Sequence, residues 1–461
     1  MRDFLDGLFH GNDKRKTGIT RERGNDKGEA GMTKKEERVN GQALMLILLI
    51  TTIGIIRHPN CLTHNTQYII QNTMPKQMLE GSNAIALAIK NIQPAVVSAY
   101  PITPQTHIIE CLAKFKADGL ADYEYINAES EFASASIILG ASATGVRVYS
   151  STSSQGLLLM TEVLFNIAGM RLPVVMTCAN RAVSAPINIW NDQQDVMTIR
   201  DAGWILLFAE NHQEAVIQHI MAYKLAEQLK LPVMVNVDGF IITHSYEPVI
   251  IPDSKQIKKY LPDYKPELGQ YLNSKNPVTL GALATPKHYM EIRQELHKDL
   301  IASLEVINKE YKNFNKIFPD LEIKNLAGNG LLEYTGPKSP KTILIAMGSI
   351  IGTIKDAIAK FPSDKGGIGI LKIKCFRPFP SEQILKIIKT AKNIAVIDKS
   401  ISLGNMGCLA NGIKAVCQGR TQAKIQSFIV GLGGRDVTSE MIKKIIVETR
   451  KSDNKTKFMG K

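Results

Sequence analysis

Residues 131–177 read EFASASIILG ASATGVRVYS STSSQGLLLM TEVLFNIAGM RLPVVMT. Glu131–Ala143 is a run of small and apolar residues with helical character, and Gly145 ends it. Val146–Ser150 is a short strand-forming run, and the hydroxyl-rich turn Ser150–Gly156 opens a second amphipathic helix, Gly156–Met170. Pro173–Thr177 is the next strand. Helix, strand, helix, strand with short links is the pattern of a parallel sheet covered by helices. It extends outward on both sides, with strands expected at Ala95–Ala99, Ile205–Phe208 and Pro232–Asn236 and helices at Ser82–Ile92 and Gln213–Leu229. Residues 252–336 interrupt it with a Pro/Tyr/Asn-rich stretch and a charged helix from about Lys287 to Lys316. A second, smaller alternating unit follows, with strands at Thr342–Met347, Ile368–Ile373, Ile394–Ile397 and Ile425–Val430. Its helices run to Lys360 from Gly348-Ser349, then over Ser381–Thr390, Gly404–Gln418 and Ser439–Val447. The fold class is α/β, in two units joined by a connecting segment.

The N-terminal region reads differently. Residues 1–42 are polar, mixed in charge and rich in Gly, Asp and Lys, a composition that cannot bury a core, and we expect them to be disordered. The apolar run Ala43–Ile56 has 14 residues, fewer than the ~18–20 that span a bilayer. Its length suits a signal-peptide core, but it lies far from the first residue. The expectation is that the stretch before about Met74 or Met78 is upstream sequence read through from a wrong start, with a membrane anchor over 43–56 as the alternative.

The chain has 461 residues, 56 Lys and Arg against 43 Asp and Glu, and a net charge of +13. Residues 337–461 alone hold 23 basic and 8 acidic residues, so the basic character belongs to the C-terminal third. Such a surface is a solvated face or a site for an acidic partner; no helix-turn-helix, RNA-binding or zinc-finger pattern points to nucleic acid. The 6 cysteines form no CxxC pair, so neither a metal site nor an iron–sulfur cluster is read here, and a reducing cytoplasm is the expected compartment.

Four polar clusters fall at expected strand ends, where open α/β sheets bind ligands. Tyr100–Thr106 (YPITPQT) sets Thr103 between two prolines and leaves Thr106 at a helix start. It reads as a rigid turn with Thr106 as a cap, or as a hydroxyl presented to a ligand. Asn127–Glu131 (NAESE) opens a helix, and Glu131 has no basic partner three or four residues on. Its carboxylate serves the helix N-terminus, or is held in an apolar pocket for proton transfer, with Glu129 as the exposed neighbour. Ser150–Gly156 offers five hydroxyls without a nearby His and without GxSxG, so it is no hydrolase nucleophile. Asn180–Pro186 places Arg181 at a strand end as a bidentate carboxylate partner or one arm of a salt bridge, and Asn191–Asp195 is positioned to line the same mouth. Neither GxGxxG after a strand nor a Walker A motif occurs, so nothing here is suited to hold a diphosphate and its magnesium.

Together these clusters resemble the α subunit of the 2-oxoacid:ferredoxin oxidoreductases, most closely the pyruvate type. The matching stretches are YPITPQT (100–106), ESEFASASIILGASATG (129–145), SSTSSQGLLLM (150–160), NRAVSAPINIWNDQQD (180–195), VNVDGF (235–240), FRPFP (376–380), IDKS (397–400) and GLGGRD (431–436). The resemblance implies a thiamine-diphosphate fold: a pyrimidine-binding domain over 78–251, a linker with a charged helix over 252–336, a transketolase C-terminal-like domain over 337–450 and a basic tail over 451–461. Residues 1–73 have no counterpart in the family. The resemblance further implies that Glu131 hydrogen-bonds the cofactor's pyrimidine N1′, that Arg181 binds the substrate carboxylate and that Thr103 donates to a substrate oxygen. A β subunit would then hold the diphosphate and Mg²⁺, a ferredoxin-like δ subunit would carry iron–sulfur clusters, and a γ subunit would complete the complex. Pyruvate, coenzyme A and ferredoxin are the implied reactants. The alternatives are a sister enzyme for 2-oxoisovalerate and a membrane-tethered, non-catalytic redox subunit.

Overall fold

The computed structural model describes residues 75–319, 321, 328–360, 367–451 and 455–460. The apolar run 43–56 and the expected disorder before it lie outside the described residues. Among the described residues no helix is long and apolar enough to cross a membrane.

The first half builds a sheet from β2 (Val96–Ala99), β3 (Glu124–Asn127), β4 (Val148–Thr152), β5 (Val175–Asn180), β6 (Ile205–Phe208) and β7 (Val233–Asp238). All six run parallel, in the order β6-β7-β5-β4-β2-β3. Their residues are nearly all buried in β4 to β7, as expected of strands covered on both faces. The covering helices are α1 (Gly81–Ile92), α2 (Thr106–Ala117), α3 (Glu131–Ala143), α4 (Ser154–Leu159), α5 (Thr161–Gly169), α6 (Gln194–Thr198) and α7 (His212–Leu229). The helix expected over 156–170 is thus two, divided at Met160, with the first starting two residues earlier. β1 (Lys76–Glu80) and β8 (Tyr246–Ile250) form a separate antiparallel ribbon.

Within 252–336, α8 (Ser254–Tyr260) has a reciprocal Asp253–Gln256 capping box, and the long α9 (Pro286–Ile317) starts on a proline at its first turn. Leu296, Ser303, Ile307, Tyr311 and Phe314 recur at helical spacing and are buried. They seat α9 against α7, with Tyr260, Phe314 and Phe318 clustered at its end.

The second sheet comprises β9 (Leu332–Thr335), β10 (Thr342–Ala346), β11 (Ile368–Ile373), β13 (Asn393–Asp398), β14 (Lys424–Ile429) and β15 (Lys457–Phe458), in the order β15-β14-β13-β10-β11-β9. Only β9 runs antiparallel. α10 (Ile350–Lys360), α11 (Ser381–Ile388), α12 (Cys408–Cys417) and α13 (Ser439–Lys451) flank it. The strand between, β12 (Cys375–Arg377), leaves this sheet and adds antiparallel to β6 of the first. Residues of the FRPFP stretch therefore stitch the two halves together. A buried ion cluster strengthens the seam, with Lys372 Nζ at 2.7 Å from both Glu210 and Glu214 and 3.4 Å from Glu333. Opposite charges meet at each contact, which is what makes burying a lysine tolerable.

Candidate active site

Six parallel strands bring their C-terminal ends to one edge, and the sequence-selected clusters stand on it. Thr103 lies in the turn after β2, Glu131 begins α3 after β3, the hydroxyl-rich turn follows β4 and Arg181 follows β5.

Arg181 and Thr103 are in direct contact. Nη1 of Arg181 donates to the Thr103 carbonyl oxygen at 2.9 Å, and Nε donates to the Asn188 carbonyl at 2.9 Å. Nη2 has no partner among the described residues. The arginine is buried, and burial lowers its pKa while Asp195 opposes the shift. Thr103 is exposed, on a turn tightened by Gln105, whose Oε1 accepts from the Ile102 N–H and whose Nε2 donates to Ser151. Gln105, not Thr106, occupies the N-cap of α2, and no side chain caps it there. The expected Thr106 cap is thus corrected, because Thr106 already has helical geometry and Gln105 is drawn sideways to β4.

Glu131 is 9 % exposed, whereas Glu129 is in solvent. Ser130 caps the helix, accepting from the Ala133 N–H at 3.1 Å, so the Glu131 side chain is not needed for that purpose. Its carboxylate accepts no hydrogen bond from the described residues. Small residues let α3 approach the sheet closely, and Ser134 shares a hydrogen bond of 3.1 Å with Ser150 of β4. Gly156 provides the remaining space: a Cβ there would stand 2.8 Å from Glu131 Oε1, 2.7 Å from its Cγ and 2.6 Å from Thr152 Oγ1.

No hydrogen bond or ion pair links Glu131 directly to Arg181 or Thr103. The connection runs through Asp195, fully buried at the start of α6. Its Oδ2 accepts from the Ser154 N–H at 3.0 Å and the Arg181 N–H at 2.9 Å, and its Oδ1 from Asn180 Nδ2 at 3.0 Å and the Val196 N–H at 2.8 Å. Burial raises its pKa and these donors pull the other way. Asp195 therefore locks the turn carrying Gly156 to the turn carrying Arg181. The sequence placed it in a polar run at the mouth; its role as a hub depends on donors from the turn after β4 and the end of β5, which the fold brings to α6.

Sequence reasoning also left VNVDGF and IDKS without a role. Asp238, at the end of β7, accepts from Lys399 Nζ at 3.2 Å, from the Ser349 N–H at 2.9 Å and from Gln193 Nε2 at 3.1 Å. Both Asp238 and Lys399 are buried, so the two motifs are one clasp between the halves. Beside it opens a pocket of about 280 Å³ lined by Trp190, Phe240, Ser349, Lys399 and Arg435, among others.

The fold, with a carboxylate held at a helix start after β3 and a guanidinium after β5 on the same sheet edge, is that of the thiamine-diphosphate-binding 2-oxoacid oxidoreductases. The family described as "Pyruvate flavodoxin/ferredoxin oxidoreductase, thiamine diP-bdg" matches residues 87–313, and "Pyruvate:ferredoxin oxidoreductase core domain II" matches 341–442. Pyruvate synthase subunit PorA of Methanocaldococcus jannaschii is 44 % identical over 388 residues, covering 83 % of this chain and 97 % of that protein. The PorA subunit of Methanosarcina barkeri is 45 % identical over 81 % of this chain and 92 % of its own length. Ketoisovalerate oxidoreductase subunit VorA of Pyrococcus horikoshii is 39 % identical over 82 % of this chain and 94 % of its own. A solved structure, 2-oxoglutarate:ferredoxin oxidoreductase from Magnetococcus marinus with 2-oxoglutarate, coenzyme A and succinyl-CoA bound, superposes with a TM-score of 0.60 at 20 % identity, over 82 % of this chain and 65 % of that one. The chain belongs to the pyruvate:ferredoxin oxidoreductase family.

The residues fit the cofactor of that family. Glu131 offers a buried carboxylate without a donor, and Thr152 Oγ1 and Gln155 Nε2, in the turn that leads into Gly156, are buried without partners. Unsatisfied polar atoms grouped this way are costly in a finished interior and are expected where a ligand completes the site.

Proposed function

We propose that this chain is the α subunit of a pyruvate:ferredoxin oxidoreductase, which decarboxylates pyruvate oxidatively to acetyl-CoA and CO₂ and passes the electrons to ferredoxin, reversibly. The observation that carries this reading is the Arg181–Thr103 contact on the same sheet edge as the undonated carboxylate of Glu131. In this reading Glu131 shares a proton with the aminopyrimidine N1′ and so governs one proton transfer. Arg181, with Nη2 unengaged, takes the substrate carboxylate by charge-assisted hydrogen bonds, and Thr103 donates its hydroxyl to a substrate oxygen. When bound, thiamine diphosphate supplies the nucleophile and electron sink for the carbon chemistry.

We take residues 78–251 as the pyrimidine-binding domain, 252–336 as the connecting segment and 337–450 as the transketolase C-terminal-like domain. The diphosphate and Mg²⁺ are assigned to a β subunit, iron–sulfur clusters to a ferredoxin-like δ subunit, and a γ subunit completes the assembly in the cytoplasm. Two observations support a partner over the site. The chain lacks a phosphate-binding motif of its own. Tyr100, Ile126, Phe132, Ile187, Ile189 and Trp190 stand exposed on loops and element ends around the strand C-termini, an apolar surface that calls for cover.

The test is the purified complex, assayed for coenzyme-A-dependent viologen reduction with pyruvate and with 2-oxoisovalerate. A higher kcat/KM for pyruvate is expected. A preference for 2-oxoisovalerate would move the chain to the branch of the VorA relatives, and no turnover with either would reject the reading.

A further inference from the structure

Away from the proposed chemistry, Glu80, His107 and His244 meet at one point, with a ligating atom from each lying within 4.8 Å of the other two. They come from three places in the chain, which is why spacing did not show them and sequence reading assigned this chain no metal. Glu80 ends β1, His107 sits in the first turn of α2, and His244 precedes β8. The β1–β8 ribbon accounts for the meeting. It pairs Glu80 with Tyr246, and the Gly81 N–H donates to the Ser245 carbonyl at 3.2 Å, which brings the chain around His244 beside Glu80.

We propose that these residues form a site for a divalent transition ion of the zinc type. Two imidazoles and one carboxylate make an N₂O donor set, which suits Zn²⁺ or Co²⁺ and disfavours Mg²⁺ and Ca²⁺, whose ligands are oxygen.

Two further features fit a built site. His244 is oriented from outside the cluster: its Nδ1 shares a hydrogen bond of 2.7 Å with Thr243 Oγ1, which also accepts from the Phe240 N–H at 2.8 Å. That contact engages one ring nitrogen outside the cluster and fixes the ring's orientation; with the ring proton on Nδ1, donated to Thr243, Nε2 is the nitrogen that would ligate, the arrangement that metal-binding histidines show. The ring also packs against Phe240 and His107, at centroid separations of 4.7 Å and 4.5 Å with the planes tilted by 38° and 34°.

His107 Nδ1 and Glu80 Oε1 are 2.6 Å apart, sharing a proton where the ion would stand. Ligands of a tetrahedral zinc are about 3.3 Å apart, so the pair must open slightly as the ion replaces the proton. The His107 side chain is 46 % exposed, which gives the ion an entry path and leaves its fourth position to water. Filling the site would tie β1, α2 and the approach to β8 together.

The experiment titrates the full-length chain, stripped with a chelator, with Co²⁺ as an optical probe and then displaces it with Zn²⁺. One equivalent of Co²⁺ is expected, with visible ligand-field bands, no intense thiolate charge-transfer band, and affinity that rises with pH because protons compete with the ion for its ligands. His107→Ala and His244→Ala should each weaken binding at least tenfold, and Glu80→Gln should weaken it less. All three side chains are outside the core, so the variants are expected to fold, as a circular dichroism melt would report. No Co²⁺ band in the wild type, an unchanged band in the His107→Ala/His244→Ala double variant, or a thiolate band from the cysteines would each overturn the proposal.

Discussion

The Arg181 guanidinium donates from Nη1 to the backbone carbonyl of Thr103 at 2.9 Å, joining the turns after β5 and β2 across the sheet edge. A second bond, Nε to the Asn188 carbonyl, fixes the plane of the group and leaves Nη2 available. Because a backbone carbonyl is the partner, side-chain variation at Thr103 leaves the arginine in place. The two side chains can therefore be tested separately.

Arg181→Ala is expected to raise the KM for the 2-oxoacid while the assembled complex persists. Charge-assisted hydrogen bonds are worth about 1.5–3 kcal/mol each, so kcat/KM should fall by about 10- to 100-fold. Arg181→Lys should recover part of the loss, since a lysine keeps the charge but lacks the planar fork. Steady-state kinetics with varied pyruvate checks this; an unchanged KM at unchanged rate would remove Arg181 from the substrate.

Glu131→Gln is expected to leave folding and assembly intact and to lower turnover by about 10²–10⁴-fold, the range for loss of one positioned proton-transfer group. Glu129→Gln, altering the solvent-exposed neighbour, should have little effect. Viologen reduction beside a thermal melt separates the two outcomes, and near-normal turnover in Glu131→Gln would reject its role.

Gly156→Ala tests the pocket rather than the proton. The new methyl would meet Thr152 Oγ1 at 2.6 Å and Glu131 Oε1 at 2.8 Å. Overpacking of this kind costs about 1–3 kcal/mol. Thermal unfolding should shift down by a few degrees, with activity falling further than stability because the displaced group is the carboxylate itself.

Asp238→Asn should loosen the clasp between the halves. It leaves the Lys399 ammonium buried beside an amide, and breaking a buried pair by removing one partner costs about 3–5 kcal/mol. Burial raises the Asp238 pKa, but Lys399, Ser349 and Gln193 outweigh it and the net direction is down. The stabilisation is therefore complete above the unfolded carboxylate pKa of about 3.9 and is lost as pH falls through the lower folded value. Melting temperatures of wild type and variant should differ by a constant amount from pH 8 to 5 and converge below about pH 4.

Local pattern carried much of the architecture. Ile205–Phe208, Ile368–Ile373 and Glu131–Ala143 occur at the limits expected from periodicity alone, because each is a run whose apolar spacing matches one geometry. Boundaries drifted where polar residues continue an element: Ser151 and Thr152 extend β4, and Asn180 extends β5; Ser151 Oγ and Asn180 Nδ2 find buried partners, whereas Thr152 Oγ1 is left without one beside Glu131. Met160 divides a helix that periodicity reads as continuous. β12 was hidden because three residues carry no period, and their place beside β6 pairs Cys375 with Leu207 and Arg377 with Leu206, residues 168 and 171 apart in the chain.

Chemistry separates along the same line. Which residues are equipped to act — a carboxylate opening a helix, an arginine at a strand end, a threonine between prolines — follows from residue type and position relative to the elements, and these are local properties of the chain. Which of them meet does not. Asp195 gathers donors from Ser154, Asn180 and Arg181, Asp238 finds Lys399, and Glu80 finds two histidines only after strands far apart in sequence have paired, since hydrogen bonds and ion pairs act over a few ångströms of space whatever the distance along the backbone.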